Sequence, residues 1–513
     1  MLFFIFNLVL LLGFSIRKTI YLSIFLLIIL NPTITSSLRL INSNVEVANT
    51  FIEETFTKEN IDFIKPKEVY ITNEEVGNQE VFWSLDVGAG MYVQKLATLL
   101  SVGEKCYVYV ANETIASIGE SSAISRCNFY RNGFDDVIYD KNIEFMGHPD
   151  GRFGDIDGDP KVTIFIVDTN GSGGLYLQKD ELANSTYSNL REMIYIDARL
   201  GANNGALMTI MHEFNHLIWF NNEMDEGHFL LEGAAEFSIF YAGYTAAWGN
   251  ITGFTNLFRE NHQRSLLSFH LIGSSPLLED YGESYLFILY LVEQYGIDFL
   301  SNLVLARPDG PLGVDYALNE IGSNATFNEV FLDWITACSI DSEDYALGKY
   351  GFANVDFTVV HDDIIYNYPQ QKNDIIHYPY GFHVKKLIQP PDNFTFSITN
   401  PYPTYSLGVS IAYYDQSGWH VMQSLHSASN ELVSINISGK EISEAYIVTS
   451  LMSENTPETF IDFIDVGDES YLTLNYLIIE GHDQTSKVSS YFLGIVFSLI
   501  AVLYSTRIIK KKK

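Results

Sequence analysis

The sequence predicts an α+β protein in which a sheet, a group of helices and a second group of strands follow one another. Segments such as KVTIFIVD and MIYIDA alternate apolar and polar residues or are β-rich, which is typical of strands. From Asn203 to about residue 345, apolar residues recur at helical spacing. After about Asn354 the segments are β-rich again, with Pro, Asn and Gly between them, which indicates a β-sandwich-like domain. Thr326, three residues before Glu329, indicates a capping box at the start of a helix.

The composition excludes global disorder and disfavours a nucleic-acid partner. The chain has 513 residues, of which 47% are apolar, and this suffices for roughly two or three domains. Its 63 acidic residues outnumber 30 basic ones and give a formal charge of -33. Because a phosphate-binding surface requires a basic face, we expect no nucleic acid to bind.

Both ends of the chain predict export and a membrane anchor. Arg17 and Lys18 precede a short apolar run, so residues 1–37 are expected to be a signal peptide, either cleaved or kept as an N-terminal anchor. Residues 488–506 are uncharged and long enough to cross a bilayer as a helix. The basic residues that follow predict a cytoplasmic C-terminus, with the bulk of the chain outside and its sequons open to glycosylation.

The segment MHEFNHLIWF, residues 211–220, places two histidines and a glutamate in an apolar helix. Residues four apart share a helical face, so His212 and His216 can both reach one zinc ion at about 2.0–2.1 Å. Glu213, rotated by about 100°, can then act on water at the metal as general base without ligating the metal. A buried carboxylate and two neutral imidazoles without partners would be costly, and a dication removes that cost. The HExxH pattern therefore predicts a metallopeptidase helix.

A catalytic zinc site needs a third protein ligand and one open position. The segment EGAAEF offers Glu232 and Glu236, which lie four apart on one helical face. HEFNHLI followed by LLEGAAEF resembles the gluzincin, thermolysin-like zinc metallopeptidases, and most closely the hyicolysin-related peptidases. This resemblance covers roughly residues 140–345. It implies a zincin catalytic domain with an N-terminal sheet lobe and a C-terminal helical lobe.

The same resemblance implies roles for the two acids. Glu232 corresponds to the zinc ligand, and Glu236 corresponds to the group that orients the first histidine. The gap between His216 and Glu232 is shorter than is usual in gluzincins, whereas Glu236 lies at the thermolysin spacing. Despite this spacing, the correspondence with the family ligand makes Glu232 the first choice as third ligand, and Glu236 stays the alternative.

The segment DYGESYLFILYLVEQYG resembles the family helix that carries the transition-state tyrosine. The resemblance implies that Tyr281, or else Tyr285, stabilises the oxyanion, while packing is the alternative role for either ring. MIYIDA, before the zinc helix, resembles the exposed edge strand on which these enzymes pair an extended substrate.

A turn upstream is a candidate calcium site. Asp155, Asp157 and Asp159 alternate around Gly158, and calcium accepts oxygen ligands at such positions. The distal glutamate of an EF-hand is missing. A plain Asp-Gly turn leading into the next strand is the alternative.

The expected organisation combines these elements in chain order. It consists of a signal peptide or anchor (1–37), an N-terminal β-rich region or pro-segment (38–140), a zincin metallopeptidase domain (141–353), a β-sandwich-like domain (354–487), one transmembrane helix (488–506) and a basic cytoplasmic tail (507–513).

The expected function is that of a zinc-dependent, extracellular, membrane-anchored endopeptidase acting on protein or peptide substrates, with calcium as a second candidate ion. It would be a single-pass protein of the cell membrane. The alternative is a cell-surface binding or adhesion protein on a catalytically silent zincin scaffold. The intact HExxH favours the enzyme, because a structural zinc site has no use for Glu213 and normally closes with a fourth protein ligand. Substrate preference and oligomeric state stay open.

Overall fold

The structure is a computed structural model that describes residues 74–152, 155–244, 250–271, 274, 276–426, 432–465 and 470–481. The predicted signal or anchor (1–37), the first part of the predicted N-terminal region, the predicted transmembrane segment (488–506) and its basic tail (507–513) lie outside these described residues. The chain divides into two compact units. The first runs to Asp225 and includes two short later segments, and the second comprises the rest.

The first unit contains a six-stranded sheet in the order β1-β2-β3-β4-β6-β5. Strands β1 to β3 are antiparallel, β3, β4 and β6 are parallel, and β5 runs antiparallel to β6 at the edge. The three parallel strands are buried along their whole length, as expected of strands covered on both faces. The strands are β1 (Gln79–Asp86), β2 (Met91–Val102), β3 (Cys106–Ala111), β4 (Val162–Val167), β5 (Gly174–Tyr176) and β6 (Met193–Asp197).

The strand MIYIDA is β6, and it is not the edge strand that the resemblance implied. It pairs with β4 on one side and with β5 on the other. The edge position belongs to the three-residue strand β5. The sequence pattern could not show this, because β5 is too short to produce an alternating signal.

The helices of the first unit follow β3 and β6. Three of them connect the parallel strands β3 and β4, and a π-helical turn, Phe134–Ile138, joins the second to the third. The fourth packs against β5 and β6. They are α1 (Asn112–Ile118), α2 (Glu120–Gly133), α3 (Tyr139–Met146) and α4 (Asn204–Phe220).

Helices form the first part of the second unit. The last of them begins at the predicted capping box, which is confirmed. The Thr326 side chain accepts a hydrogen bond from the Glu329 amide, and the Glu329 side chain accepts one from the Thr326 amide. The helices are α5 (His228–Tyr241), α6 (Asn250–Asn261), α7 (Leu277–Tyr295), α8 (Ile297–Val304), α9 (Gly310–Glu320) and α10 (Phe327–Ile340).

The second unit also holds a five-stranded sheet, β13-β12-β15-β10-β8, and a four-stranded sheet, β14-β11-β17-β9. Residues of both sheets, among them Phe396, Ile411 and Ile447, form one hydrophobic core. Helix α10 packs against β12 and β15, which explains why these two strands are buried along most of their length. The strands are β8 (Asp363–Ile365), β9 (Gln370–His377), β10 (Phe382–Ile388), β11 (Asn393–Thr399), β12 (Tyr405–Asp415), β13 (Gly418–His426), β14 (Leu432–Ser438), β15 (Glu444–Ser453) and β17 (Leu472–Glu480). A further parallel pair joins β7 (Ser268–His270) to β16 (Ile461–Ile464).

The predicted fold class has one element that the described residues do not support, the C-terminal transmembrane helix, which the sequence places at residues 488–506, outside them. Within the described residues, no helix is both long and apolar enough to span a bilayer. Helix α4 is apolar but has only 17 residues, against the roughly 20 that a span requires. Helix α7 has 19 residues but carries acidic side chains at both ends, including Glu279 and Glu293. What the described residues support is a mixed helix and sheet fold.

Candidate metal centre

Helix α4 carries both predicted histidine ligands and the predicted general base. It begins after Asn203, whose side-chain oxygen accepts a hydrogen bond from the Ala206 amide at 3.2 Å and so caps the first turn. Glu213 is buried, whereas His212 and His216 are half-buried. Both imidazoles are therefore partly accessible to solvent.

A pair of buried amides fixes α4 against α3. The Asn142 side-chain nitrogen donates to the Met211 carbonyl oxygen at 3.2 Å, and Asn215 donates to the Asn142 side-chain oxygen at 3.1 Å. Both asparagines are fully buried. These bonds attach at residues immediately before each histidine, so they hold the helical turn that sets the spacing of the two rings.

The two imidazoles face each other closely. The Nε2 atoms of His212 and His216 are 3.0 Å apart, and the ring planes stand at 85°. Two nitrogens bound to one tetrahedral zinc at about 2.0–2.1 Å would be about 3.3–3.4 Å apart, so a small adjustment would suffice. His212 and His216 lie on α4 in the first unit, and Glu232, the first choice as third ligand, lies on α5 in the second unit.

Glu213 lies against the edge strand β5. A Cβ atom built on Gly174 would be 2.8 Å from Glu213 Oε1 and 2.4 Å from Thr209 Cγ2. Only glycine leaves room for the carboxylate in this position. The predicted base is therefore held beside β5, one of the two edge strands of this sheet.

The alternative candidates differ in their surroundings. Glu236 is buried on α5 one turn after Glu232. Tyr285 is 2% exposed and packs on Phe240, and burial, followed by nearby negative charge, raises its pKa. Tyr281 is half-buried, with its ring centroid 5.5 Å from that of Phe269. Burial thus suits Tyr285 to packing and leaves Tyr281 the more accessible of the two phenols.

One histidine near the centre was not predicted from the sequence. His228 is the first residue of α5, one turn before Glu232, and its Nδ1 lies 2.9 Å from Asp462 Oδ2. Burial opposes the charged ring, but the hydrogen bond and charge of Asp462, with the charge of Glu232, raise its pKa overall. The four-residue spacing to Glu232 could have drawn attention to His228. Nothing in the sequence links it to Asp462, which lies 234 positions later.

The acidic turn departs from its predicted arrangement. Ligand oxygens of Asp155 and Asp157 lie within 4.8 Å of each other and of Glu192. Asp159 instead accepts hydrogen bonds from the Tyr107 hydroxyl at 2.8 Å and from the Lys161 amide at 3.1 Å. The structure therefore groups two of the three predicted acids with a glutamate that sequence reasoning did not select.

Neither a family model nor a curated protein matches this chain. Among solved structures, the chain is similar to the surface-associated copper-binding protein CorA of Methylomicrobium album BG8, with 6% identity, a TM-score of 0.15 and coverage of 23% of this chain and 98% of that one. It is also similar to the P-domain of Macrobrachium rosenbergii nodavirus, with 12% identity, a TM-score of 0.12 and coverage of 22% and 94%. A third similarity is to a family GH115 4-O-methyl-alpha-glucuronidase, with 10% identity, a TM-score of 0.14 and coverage of 64% and 52%. At these TM-scores none of the three likenesses bears on fold or function.

Proposed function

We propose that this protein is a zinc-dependent endopeptidase of the gluzincin type. The observation that carries the proposal is the 3.0 Å approach of the His212 and His216 Nε2 atoms on a helix that also carries Glu213, a buried carboxylate next to His212. Glu232 would be the third ligand. Two imidazole nitrogens and one carboxylate oxygen are a donor set that suits zinc and leaves a fourth position for water.

The residues of the site have complementary tasks. A bound zinc ion supplies Lewis acidity toward water and toward the peptide carbonyl group. Glu213 accepts a proton from the attacking water and returns it to the leaving amine. Tyr281 is the candidate hydrogen-bond donor to the oxyanion, and Glu236 is the candidate group that orients His212. Because β5 is an edge strand beside Glu213, an extended substrate can pair with it through backbone hydrogen bonds, which suits broad peptide acceptance.

The test separates metal binding from catalysis. We expect the full-length protein to bind zinc and to cleave members of a broad peptide library in a chelator-sensitive manner. Glu213→Gln should lower the cleavage rate by roughly 10²–10⁴-fold while zinc content stays the same, because only the proton transfer is lost. Zinc content and cleavage are measured on the same preparations.

An exposed glutamate of α2 provides the matched control. Glu120→Gln makes the same chemical change at an exposed helix start and should leave both readouts unchanged. Zinc binding without cleavage of any library peptide would favour the alternative of a binding or adhesion protein. Absence of bound zinc, or full activity in Glu213→Gln, would refute the proposal.

A further inference from the structure

We propose that Asp155, Asp157 and Glu192 bind a calcium ion at a site that is separate from the zinc centre and independent of the proposed peptidase activity. One carboxylate oxygen from each residue lies within 4.8 Å of the others. The two aspartates come from the turn before β4, and Glu192 immediately precedes β6. All three belong to the first unit.

Glu192 supplies the observation that distinguishes this cluster from an ordinary acidic turn. Its side chain is only 4% exposed. Oε1 accepts a hydrogen bond from the Ile156 amide at 2.8 Å, and because Ile156 lies between Asp155 and Asp157, this bond holds the carboxylate against the turn. Oε2 is buried and has no hydrogen-bond partner among the described residues. An unsatisfied buried carboxylate oxygen is costly, and a cation held by the cluster would satisfy it.

The turn itself is already organised by one oxygen of each aspartate. Asp155 Oδ1 accepts a hydrogen bond from the Asp157 amide at 3.0 Å, and Asp157 Oδ1 accepts one from the Asp159 amide at 2.8 Å. Gly158 follows with a positive φ of 81°, a conformation that favours glycine. The loop is therefore shaped before any ion binds, and these hydrogen bonds use only the Oδ1 atom of each aspartate.

Neighbouring positive charge does not neutralise the cluster. Arg191 Nε is 4.0 Å from Asp157, but the same guanidinium lies 2.9 Å from Glu74 and 3.4 Å from Glu80. Because Arg191 is shared with Glu74 and Glu80, it does not balance the negative charge of the three carboxylates, and a divalent cation would do so.

The oxygen-only donor set indicates which cation. Calcium takes oxygen ligands in a flexible geometry and completes its shell with carbonyl groups and water, whereas magnesium demands near-ideal octahedral geometry and zinc prefers nitrogen and sulfur. A calcium ion here would join the turn before β4 to the residue before β6. These parallel neighbours already meet at this level, where the Thr163 amide donates to the Glu192 carbonyl oxygen at 2.9 Å.

The experiment measures calcium binding directly on full-length protein with one equivalent of zinc added. Equilibrium dialysis with radioactive calcium, up to about 1 mM free ion, covers the affinity range of extracellular calcium modules. We expect one saturable site and a rise in Tm on adding calcium, because an ion that binds only the folded state stabilises it. Glu192→Gln and Asp157→Asn should each weaken binding at least roughly tenfold and reduce the calcium-dependent rise in Tm.

Asp159→Asn is the matched control, because Asp159 belongs to the same turn but is engaged by Tyr107 and Lys161. This variant should bind calcium like the wild type. Any difference in Tm between the variant and the wild type should be the same with and without calcium. If the wild-type protein binds no calcium at about 1 mM, the proposed site is refuted and the segment is a plain Asp-Gly turn. Equal loss in Asp159→Asn and in Glu192→Gln would overturn the ligand set. The Glu213→Gln protein should bind calcium normally, so failure of the peptidase proposal is distinguishable from failure of this one.

Discussion

At the scale of single residues, the Nε2 atoms of His212 and His216 lie 3.0 Å apart, within hydrogen-bonding distance. A metal ion between the rings would accept one lone pair from each imidazole in place of that contact. The proposed metal therefore uses two groups that the helix already holds side by side.

The first prediction concerns the glycine that faces the general base. In Gly174→Ala the added methyl group would meet Thr209 Cγ2 at 2.4 Å and Glu213 Oε1 at 2.8 Å, so the Glu213 side chain must move. If Glu213 is the base, we expect kcat to fall by roughly 10²-fold, because small misplacements of a reacting group are that costly. Zinc content should stay unchanged. Steady-state peptide cleavage and metal analysis are the measurements.

Gly173→Ala is the neighbouring control, since a Cβ atom there meets nothing within 4 Å. It should behave like the wild type in both measurements. If Gly174→Ala retained full kcat, Glu213 would not be the group that the edge strand positions. If it lost zinc as well, the effect would be structural rather than a displacement of the base.

At the scale of elements, the three-residue strand β5 lies next to the proposed catalytic helix. Among the described strands it pairs only with β6, so it forms one edge of the sheet. Helix α4 packs against both strands. The proposed catalytic helix and the proposed substrate strand are therefore adjacent parts of one packed layer, and their spacing is set by ordinary helix-on-sheet packing.

The second prediction concerns the capping box of α10. Thr326→Ala removes the hydroxyl that accepts the Glu329 amide, and loss of such a cap costs about 1 kcal/mol. Because α10 packs on β12 and β15, we expect its amides to exchange with solvent roughly fivefold faster when opening is local. Hydrogen exchange followed by mass spectrometry measures this. Thr326→Ser keeps the hydroxyl and should match the wild type, so a rate equal to that of Thr326→Ala would show that the cap is not responsible.

At the scale of the whole molecule, a buried lysine makes stability depend on pH. Lys385 lies in β10 and is 1% exposed. Burial lowers its pKa to about 8, although Asp362 and Asp363 act in the opposite direction. Below that pH the folded protein must bury an ammonium group, at a cost of roughly 3 kcal/mol relative to the unfolded chain. Above about pH 8 the folded protein releases the Lys385 proton, whereas the unfolded chain keeps it until about pH 10.4. The cost of burying the ammonium group therefore disappears as the pH rises from about 8 to about 10.4.

The third prediction follows from that sign. Lys385→Met should raise Tm at pH 7, and its advantage over the wild type should shrink between about pH 8 and about pH 10. Thermal unfolding at several pH values is the measurement. Lys386→Met is the control: Lys386 pairs with Glu444 at 2.7 Å, and its pKa is raised by the hydrogen bonds of Glu444 and Tyr446 despite partial burial. That variant should not be stabilised at pH 7. An advantage of Lys385→Met that is constant across the range would point to packing rather than charge.

The sequence by itself determined features that depend on helical periodicity and on local capping. His212, Glu213 and His216 have their relative positions because residues four apart share a helical face in any fold. The capping box of α10 is equally local, since its hydrogen bonds span three residues. These features need no knowledge of the partners of the helix.

Only the tertiary structure decided which distant groups meet. Glu192 joins Asp155 and Asp157 because β4 and β6 are neighbours in the sheet, and β5 rather than β6 is the edge for the same reason. Asp462 reaches His228 across 234 positions. The pairing of strands and the burial of side chains are properties of the folded chain as a whole, and no short stretch of sequence contains them.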